Sequence, residues 1–268
     1  MNGVIESIFK NEKIEYFAVL DYAGLRTYNS ELACRAGITP RTAIVFLIPY
    51  FVEVPTNLSA YASSLDYHIF VKELTSRLCE KLSTEYPEYK FLGFGDHSPL
   101  DERYAALVGG LGIAGDSGML INEKYGTYTF IADVITDMPP ELAGAMQKGE
   151  IKECHHCGAC KRACPTGILR GCSTDCLSAI TQRKGELADF EVEMMRKFNT
   201  VWGCDVCQTA CPYNKRPAVT PIEFFHNPRI STLTSVYLAS LGREELRRHA
   251  FGWRGRAVIE RNLEKLGY

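Results

Sequence analysis

Three stretches in the first half of the chain are nearly continuous in apolar, β-branched and aromatic residues. Residues 14–20, 42–50 and 128–135 read as buried strands on that pattern. Residues 66–82 differ: Ile69, Phe70, Leu74 and Leu78 recur at three- and four-residue steps with charged residues between them, which predicts a helix with one apolar face. Residues 89–95 predict another strand. Ser98-Pro99 then supplies an N-cap and a first-turn proline for a helix over 100–108. Gly109, Gly110, Gly112 and Gly115 break the pattern, and extended structure resumes over 119–122. Strands that alternate with helices imply an α/β (α+β) layer over residues 1–140. Met138-Pro139-Pro140 ends it. A cysteine-rich module is expected over 141–217 and a helical tail over 218–268, with helices over 235–241 and 254–266.

Composition narrows the class. With 268 residues, 46% hydrophobic and 23% charged, the chain has an ordinary globular balance, which excludes disorder, collagen and coiled coil. Its most apolar run, 43–54, is interrupted by Pro49 and falls short of the roughly 20 residues that a membrane-spanning helix needs. The first residues lack a cationic stretch leading into a long apolar one, so a cytoplasmic location is expected. Charge is uneven: the first 150 residues carry 12 basic and 20 acidic side chains, and the remainder 18 and 12. The basic half suits an anionic partner or a dipolar surface.

Of the 11 cysteines, nine fall between Cys154 and Cys211. Cys154, Cys157, Cys160 and Cys164, followed by Pro165, have the C-x2-C-x2-C-x3-C-P spacing with which bacterial ferredoxins bind [4Fe–4S] clusters. In such proteins the fourth cysteine ligates the other cluster, so a second motif is required. Cys204, Cys207 and Cys211-Pro212 match its last three positions, but Val201 stands where its first cysteine belongs. Cys176 is the replacement chosen from the intervening segment, with Cys172 the alternative. Cross-ligation then groups Cys154, Cys157, Cys160 and Cys211 around one cluster and Cys164, Cys176, Cys204 and Cys207 around the other. Structural zinc is the competing reading, but tetrahedral zinc does not need two C-x3-C-P endings. His155 and His156 are expected to be loop residues that tune the potential through hydrogen bonds.

Paired clusters pass electrons singly and need a catalytic partner. No GxGxxG segment follows a strand, which argues against a Rossmann dinucleotide site. Taken together, Asp66-Tyr67-His68, the segment from Gly95-Asp96 through Pro99 to Glu102-Arg103, and Gly110-Leu-Gly112-Ile-Ala-Gly115 resemble the epoxyqueuosine reductase family. So do Gly203-Cys204-Asp205-Val-Cys207-Gln208, Gly252-Trp-Arg254-Gly-Arg256 and Arg261-Asn262. The chain departs from that pattern at Ser64-Leu65 and Asp116-Ser117.

The resemblance implies a corrinoid-binding α/β domain, a ferredoxin-like double [4Fe–4S] module and a short helical tail. It further implies cobalamin-dependent removal of the epoxide oxygen from epoxyqueuosine in tRNA, with an external donor such as a flavodoxin or ferredoxin. Asp96 corresponds to the family's acid. Gly110, Gly112, Gly115, Asp66, Tyr67 and His68 are the cofactor-side candidates. Competing classes are a corrinoid and iron–sulfur reductase of a small molecule, of the dehalogenase type, and a noncatalytic electron carrier.

Plainer readings stand beside these. Asp96 suits an Asx turn, His68 a domain-boundary histidine, and Glu102 with Arg103 an exposed pair on a helix. Cys34, Cys79 and Cys172 read as small buried or loop residues. Arg247, Arg248, Arg254, Arg256 and Arg261 are candidates for phosphate contacts, or for a solvated helix face.

Overall fold

The computed structural model describes residues 2–29, 31–35, 37–146 and 148–268. The chain divides into two compact units, one made of Met1–Pro49 and His68–His155 and the other of Tyr50–Tyr67 and His156–Tyr268. This differs from boundaries at 140 and 217, because residues 144–154 are tied to the first unit. The Met146 amide donates to the Val19 carbonyl at 2.8 Å, the Gly149 amide to Val108 at 2.7 Å and the Cys154 amide to Ala114 at 2.9 Å.

The first unit opens with α1 (Asn2–Asn11), β1 (Phe17–Asp21), α2 (Glu31–Arg35) and β2 (Thr42–Pro49). There follow α3 (Tyr67–Glu85), of which all but the first residue lies here, β3 (Phe91–Gly95) and α4 (Glu102–Val108). It closes with β4 (Ile113–Ala114), β5 (Leu120–Ile121), β6 (Thr129–Thr136) and α5 (Pro140–Ala143). Four strands form one sheet in the order β1-β2-β6-β3, every pair antiparallel, and β4 pairs with β5 in a separate hairpin.

All eight residues of β2 are buried, which explains its unbroken apolar sequence: helices cover both faces of the sheet. Ala43, Val45 and Leu47 pack with Ala105 to Val108 of α4. Phe46 points the other way and meets Phe9 of α1 edge-on, with ring centroids 5.3 Å apart. α3 presses so closely on β3 that a Cβ at Gly93 would lie 2.2 Å from Cβ of Thr75. Ser98 does not cap α4. Its hydroxyl accepts the Leu100 amide at 3.0 Å, while the Asp101 side chain accepts the Tyr104 amide at 2.9 Å, so the helix begins at Glu102.

The second unit contains α6 (Ala159–Ala163), α7 (Leu177–Gln182), α8 (Asp189–Lys197) and α9 (Val206–Thr209). The tail adds α10 (Ser235–Ser240), α11 (Arg243–Arg247) and α12 (Arg256–Leu266). One core joins Leu58 and Ala62 to Trp202, Leu233, Phe251 and Leu263; a smaller one joins Leu177, Ile180, Val192 and Met195. Buried polar side chains bind the loops. Asn57 pairs in both directions with the backbone of Leu233, at 2.8 Å each way, and Asn262 donates to the carbonyls of Thr181 at 2.7 Å and Val201 at 2.8 Å. No helix among the described residues is long and apolar enough to cross a membrane.

Candidate functional site

β3 ends at Gly95, and Asp96 follows in the left-handed backbone region with φ of 63°. Such a conformation is uncommon outside glycine, although aspartate tolerates it better than most residues. His68, near the start of α3, reaches the same point: its Nε2 lies 3.1 Å from Oδ2 of Asp96. Both side chains are more than half exposed, so the pair adds little stability, and its significance is that two separate motifs converge.

Below Asp96 lie two carboxyl groups that the sequence reading did not select. Glu102 is not the exposed partner of Arg103: its Oε1 is buried without a hydrogen-bond partner. Burial pushes its carboxyl up to about 8, the charges of Asp133 and Asp96 push the same way, and the backbone of Asp96 pulls back. Asp133 of β6 is completely buried, and no donor reaches either oxygen in hydrogen-bonding geometry. Burial pushes it up to about 7, partly offset by the nearby Ser98 hydroxyl. An acid inside the apolar run Thr129–Thr136 was the available signal.

The glycine-rich segment divides into two kinds of position. Gly110, at φ of 72°, has nothing within 4 Å of where a Cβ would stand. Gly112 and Gly115 are small because their own hairpin fills the space: a Cβ would lie 2.5 Å from the Ile121 carbonyl oxygen and 3.0 Å from that of Met119. Asp66 and Tyr67 fall in the second unit, where the Asp66 amide donates to Arg248 at 2.7 Å and the rings of Tyr61 and Tyr67 meet edge-on.

In the second unit the cysteines sit at the ends and within the turns of short helices. Cys160 is buried in α6, and Cys164 caps its C-terminus. Cys176 caps the N-terminus of α7, Cys207 lies in α9, and α6 packs against α9. Burial pushes the Cys204 and Cys207 thiols up to about 12, and Cys176 pushes on both; Cys164 and Cys160 add to the effect at Cys207. Burial also raises Cys164, but the amides of Leu169, Gly167 and Thr166 and the Thr166 hydroxyl outweigh it and leave the thiol lowered. Thiols crowded in this way ionise together only when a cation joins them, so the donor set fits a metal cluster. Cys172 is exposed, and its thiol faces the carbonyl of Arg170 in its own turn. Cys79 is partly buried, with its thiol pushed up to about 12 by burial, as suits an inert residue. The side chain of Cys34 lies outside the described residues.

The motif residues around these cysteines are structural. Asp205 is half-buried and takes the Ser59 hydroxyl, the Ala60 amide at 2.6 Å and the Gln208 side-chain amide at 2.8 Å. Two of the five tail arginines are likewise committed to backbone carbonyls, Arg256 to Leu238 and Leu241, and Arg261 to Arg183 and Gly185. Arg247, Arg248 and Arg254 remain exposed. Arg254 stacks on Trp253 with its guanidinium carbon 3.7 Å from the ring centroid, and it borders an open cavity of about 470 Å³ lined also by Asp175, Cys176 and Arg183.

Comparison with known proteins gives these features a context. Residues 153–214 match the 4Fe-4S double cluster binding domain, and residues 121–169 match a 4Fe-4S dicluster domain. An epoxyqueuosine reductase of Leadbetterella byssophila is 32% identical over 204 residues, covering 72% of this chain and 65% of that protein. The chain is a relative of the epoxyqueuosine reductases. It spans between half and two thirds of the first curated relatives it matches. The fold agrees: an epoxyqueuosine reductase solved with an epoxyqueuosine-modified tRNA stem loop superposes with a TM-score of 0.76 at 22% identity, covering 97% of this chain and 80% of that one. A Bacillus subtilis enzyme, solved with its catalytic aspartate loop swung out of the active site, gives 0.76 at 20% identity, covering 98% and 81%. The two [4Fe–4S] clusters are the cofactors of the cysteine module.

Proposed function

We propose that the chain reduces epoxyqueuosine in tRNA to queuosine, with electrons delivered through the two [4Fe–4S] clusters to a corrinoid. The match to curated epoxyqueuosine reductases carries this reading, since it extends well beyond the cysteine module. Cys154, Cys157, Cys160 and Cys211 would hold one cluster, and Cys164, Cys176, Cys204 and Cys207 the other. The position of Cys176 beside Cys204 and Cys207, against the outward-facing turn of Cys172, supports that choice. The open backbone at Gly110 suits a flat macrocycle, and His68 and Asp96 form an exposed polar pair in the same unit. Gly112 and Gly115 contribute the hairpin rather than contact.

Removal of an epoxide oxygen consumes two electrons and two protons and releases water, leaving a carbon–carbon double bond. The corrinoid, when bound, supplies the low-potential metal centre that the organic substrate requires. The polypeptide supplies the proton: Asp96 is the donor to the departing oxygen, and His68 orients its carboxyl through the 3.1 Å contact. A Bacillus subtilis relative whose catalytic loop carries an aspartate supports that assignment. Exposed Arg247, Arg248 and Arg254 are the available phosphate contacts.

Anaerobically purified protein tests the proposal by corrinoid titration and by turnover of an epoxyqueuosine-containing tRNA stem loop. Binding of that RNA is expected to weaken steeply as salt rises, because phosphate contacts release counterions. Absence of a corrinoid spectral change under reducing conditions, or of queuosine formation, would reject it.

A further inference from the structure

The open cavity of about 470 Å³ in the second unit has Cys176 in its wall, together with Asp175, Ala179, Arg183 and Arg254. Cys176 caps the N-terminus of α7, and Ala179, one turn later on that helix, is exposed. A cluster held by Cys176 is reached from solvent through this opening. Electron transfer falls off steeply with distance, so a carrier seated here has a short path to that cluster. The two ligand sets differ in their placement. Cys154 is tied by its amide to Ala114, in the unit that carries Gly110 and Asp96, whereas Cys164, Cys176, Cys204 and Cys207 all belong to the second unit. The first set thus includes a residue of the unit that holds the proton donor, and the second set is left to take electrons in. We propose that the cavity at Cys176 is the docking face for an acidic one-electron carrier protein, which reduces the cluster there. This rests on Cys176 being a cluster ligand.

Charge selects the sign of the carrier. Between residues 156 and 184, Lys161, Arg162, Arg170, Arg183 and Lys184 stand against Asp175 alone, and all of the five except Lys161 are exposed. Arg183 holds Asp175 at 3.4 Å, which covers the one acid in the cavity wall, and its other nitrogen bonds Glu191, which is buried and presents no charge outward. Arg254 lies over the ring of Trp253, itself 58% exposed, and gives the rim a cationic group beside an aromatic face. A cationic rim draws an acidic partner in and orients it on encounter. RNA is anionic too, but it gains nothing from a seat at Cys176, because its modified base must meet Asp96, in the other unit. Each encounter passes one electron: the reduced carrier loses it, the cluster goes from its oxidised to its reduced state, and two encounters supply the two electrons that a deoxygenation consumes.

The test uses Ala179, an exposed helix position in the cavity wall: Ala179→Glu places a negative charge there, and Ala179→Lys a positive one of similar bulk. In the full cluster-loaded chain without RNA, reduction of the clusters by reduced flavodoxin, an acidic carrier, is followed by stopped-flow bleaching. It should slow by about tenfold in Ala179→Glu at low salt and stay at or above the wild-type rate in Ala179→Lys, with the difference fading as salt rises. Reduction by a photogenerated deazaflavin radical, small and uncharged, should be equal in all three proteins. Hydrogen-exchange mass spectrometry with oxidised flavodoxin should show protection of peptides covering 175–183 and 252–256. If Ala179→Glu assembles less iron than the wild type, Gln182→Glu, in the same wall, takes its place. Equal slowing of Ala179→Glu and Ala179→Lys, or slowing of neither, would reject an acidic carrier at this face while leaving the clusters as assigned. Protection by an RNA stem loop and not by flavodoxin would give the patch to phosphate binding and likewise overturn the proposal. Full iron content in Cys176→Ala would instead remove the ligand assignment on which it rests.

Discussion

The two units differ in how their buried acid and amide side chains are satisfied. In the cysteine-bearing unit buried Asn57 and Asn262 and half-buried Asp205 are engaged, each linking backbone segments far apart in sequence. In the sheet unit the ladders and apolar faces supply the cohesion, yet Asp133 and Oε1 of Glu102 are buried with nothing to bond. Buried polar groups that are satisfied hold a fold together, whereas unsatisfied ones lower its stability and call for a functional explanation. By that measure Asp205 and Asn262 serve assembly, whereas Asp133 and Glu102 are the interior groups that packing alone does not explain.

The largest effect expected is at Asp96. Asp96→Asn keeps the size of the side chain but cannot donate the proton, so single turnover should fall by about 10²–10⁴-fold with iron content and corrinoid binding retained. Near-normal reduction would place the chemistry elsewhere and dissolve the contrast.

Asp133 gives the next effect, in stability. Its folded-state value, about 7, lies above the ordinary 3.8, so the folded protein holds a proton that the unfolded chain releases. The stabilising proton is fully present below 3.8 and is lost as pH rises through 7, so stability should fall across that window by up to about 1.4 kcal/mol per pH unit. Asp133→Asn should flatten the slope in denaturant titrations at pH 5 and pH 8; an unchanged slope would contradict an uncompensated interior acid.

In the other unit, Asn262→Ala strands the carbonyls of Thr181 and Val201 and should cost about 2–4 kcal/mol, read as a lower unfolding midpoint. A loss below about 0.5 kcal/mol would mean that these bonds do not do the work assigned to them. Finally, Cys176→Ala should halve the iron content, from about eight per chain, while Cys172→Ala leaves it unchanged. The reverse result would exchange the two ligands.

Some of this was legible in the sequence because the responsible forces are local. Apolar runs marked β2 and β6 to within a residue or two, and helical periodicity marked α3. Cysteine spacing marked the cluster module, which the family matches over 153–214 bear out. The N-cap of α4 was misplaced because Ser98 and Asp101 are both competent caps, and only the tertiary path selects between them. β4 is hidden among glycines, and α1 is not among the predicted elements although Ile5, Ile8 and Phe9 carry a helical spacing. Asp133 is readable as an anomaly in an apolar strand, but the buried oxygen of Glu102 is not, since burial of a helix-surface acid depends on what packs over it. The membership of residues 50–67 in the second unit was invisible, because the partners of Asn57 lie 176 positions away.

That last separation has a consequence for synthesis. A ribosome releases residues 50–67 early, between two elements that can settle into the sheet at once, but their bonding partners around Leu233 are not yet made. At roughly 5–20 residues per second the segment waits for about 10–35 s as a solvated loop. The chain therefore cannot finish its two units in sequence: the segment that holds Asn57 stays open while the sheet forms, and it closes only once Leu233 has emerged.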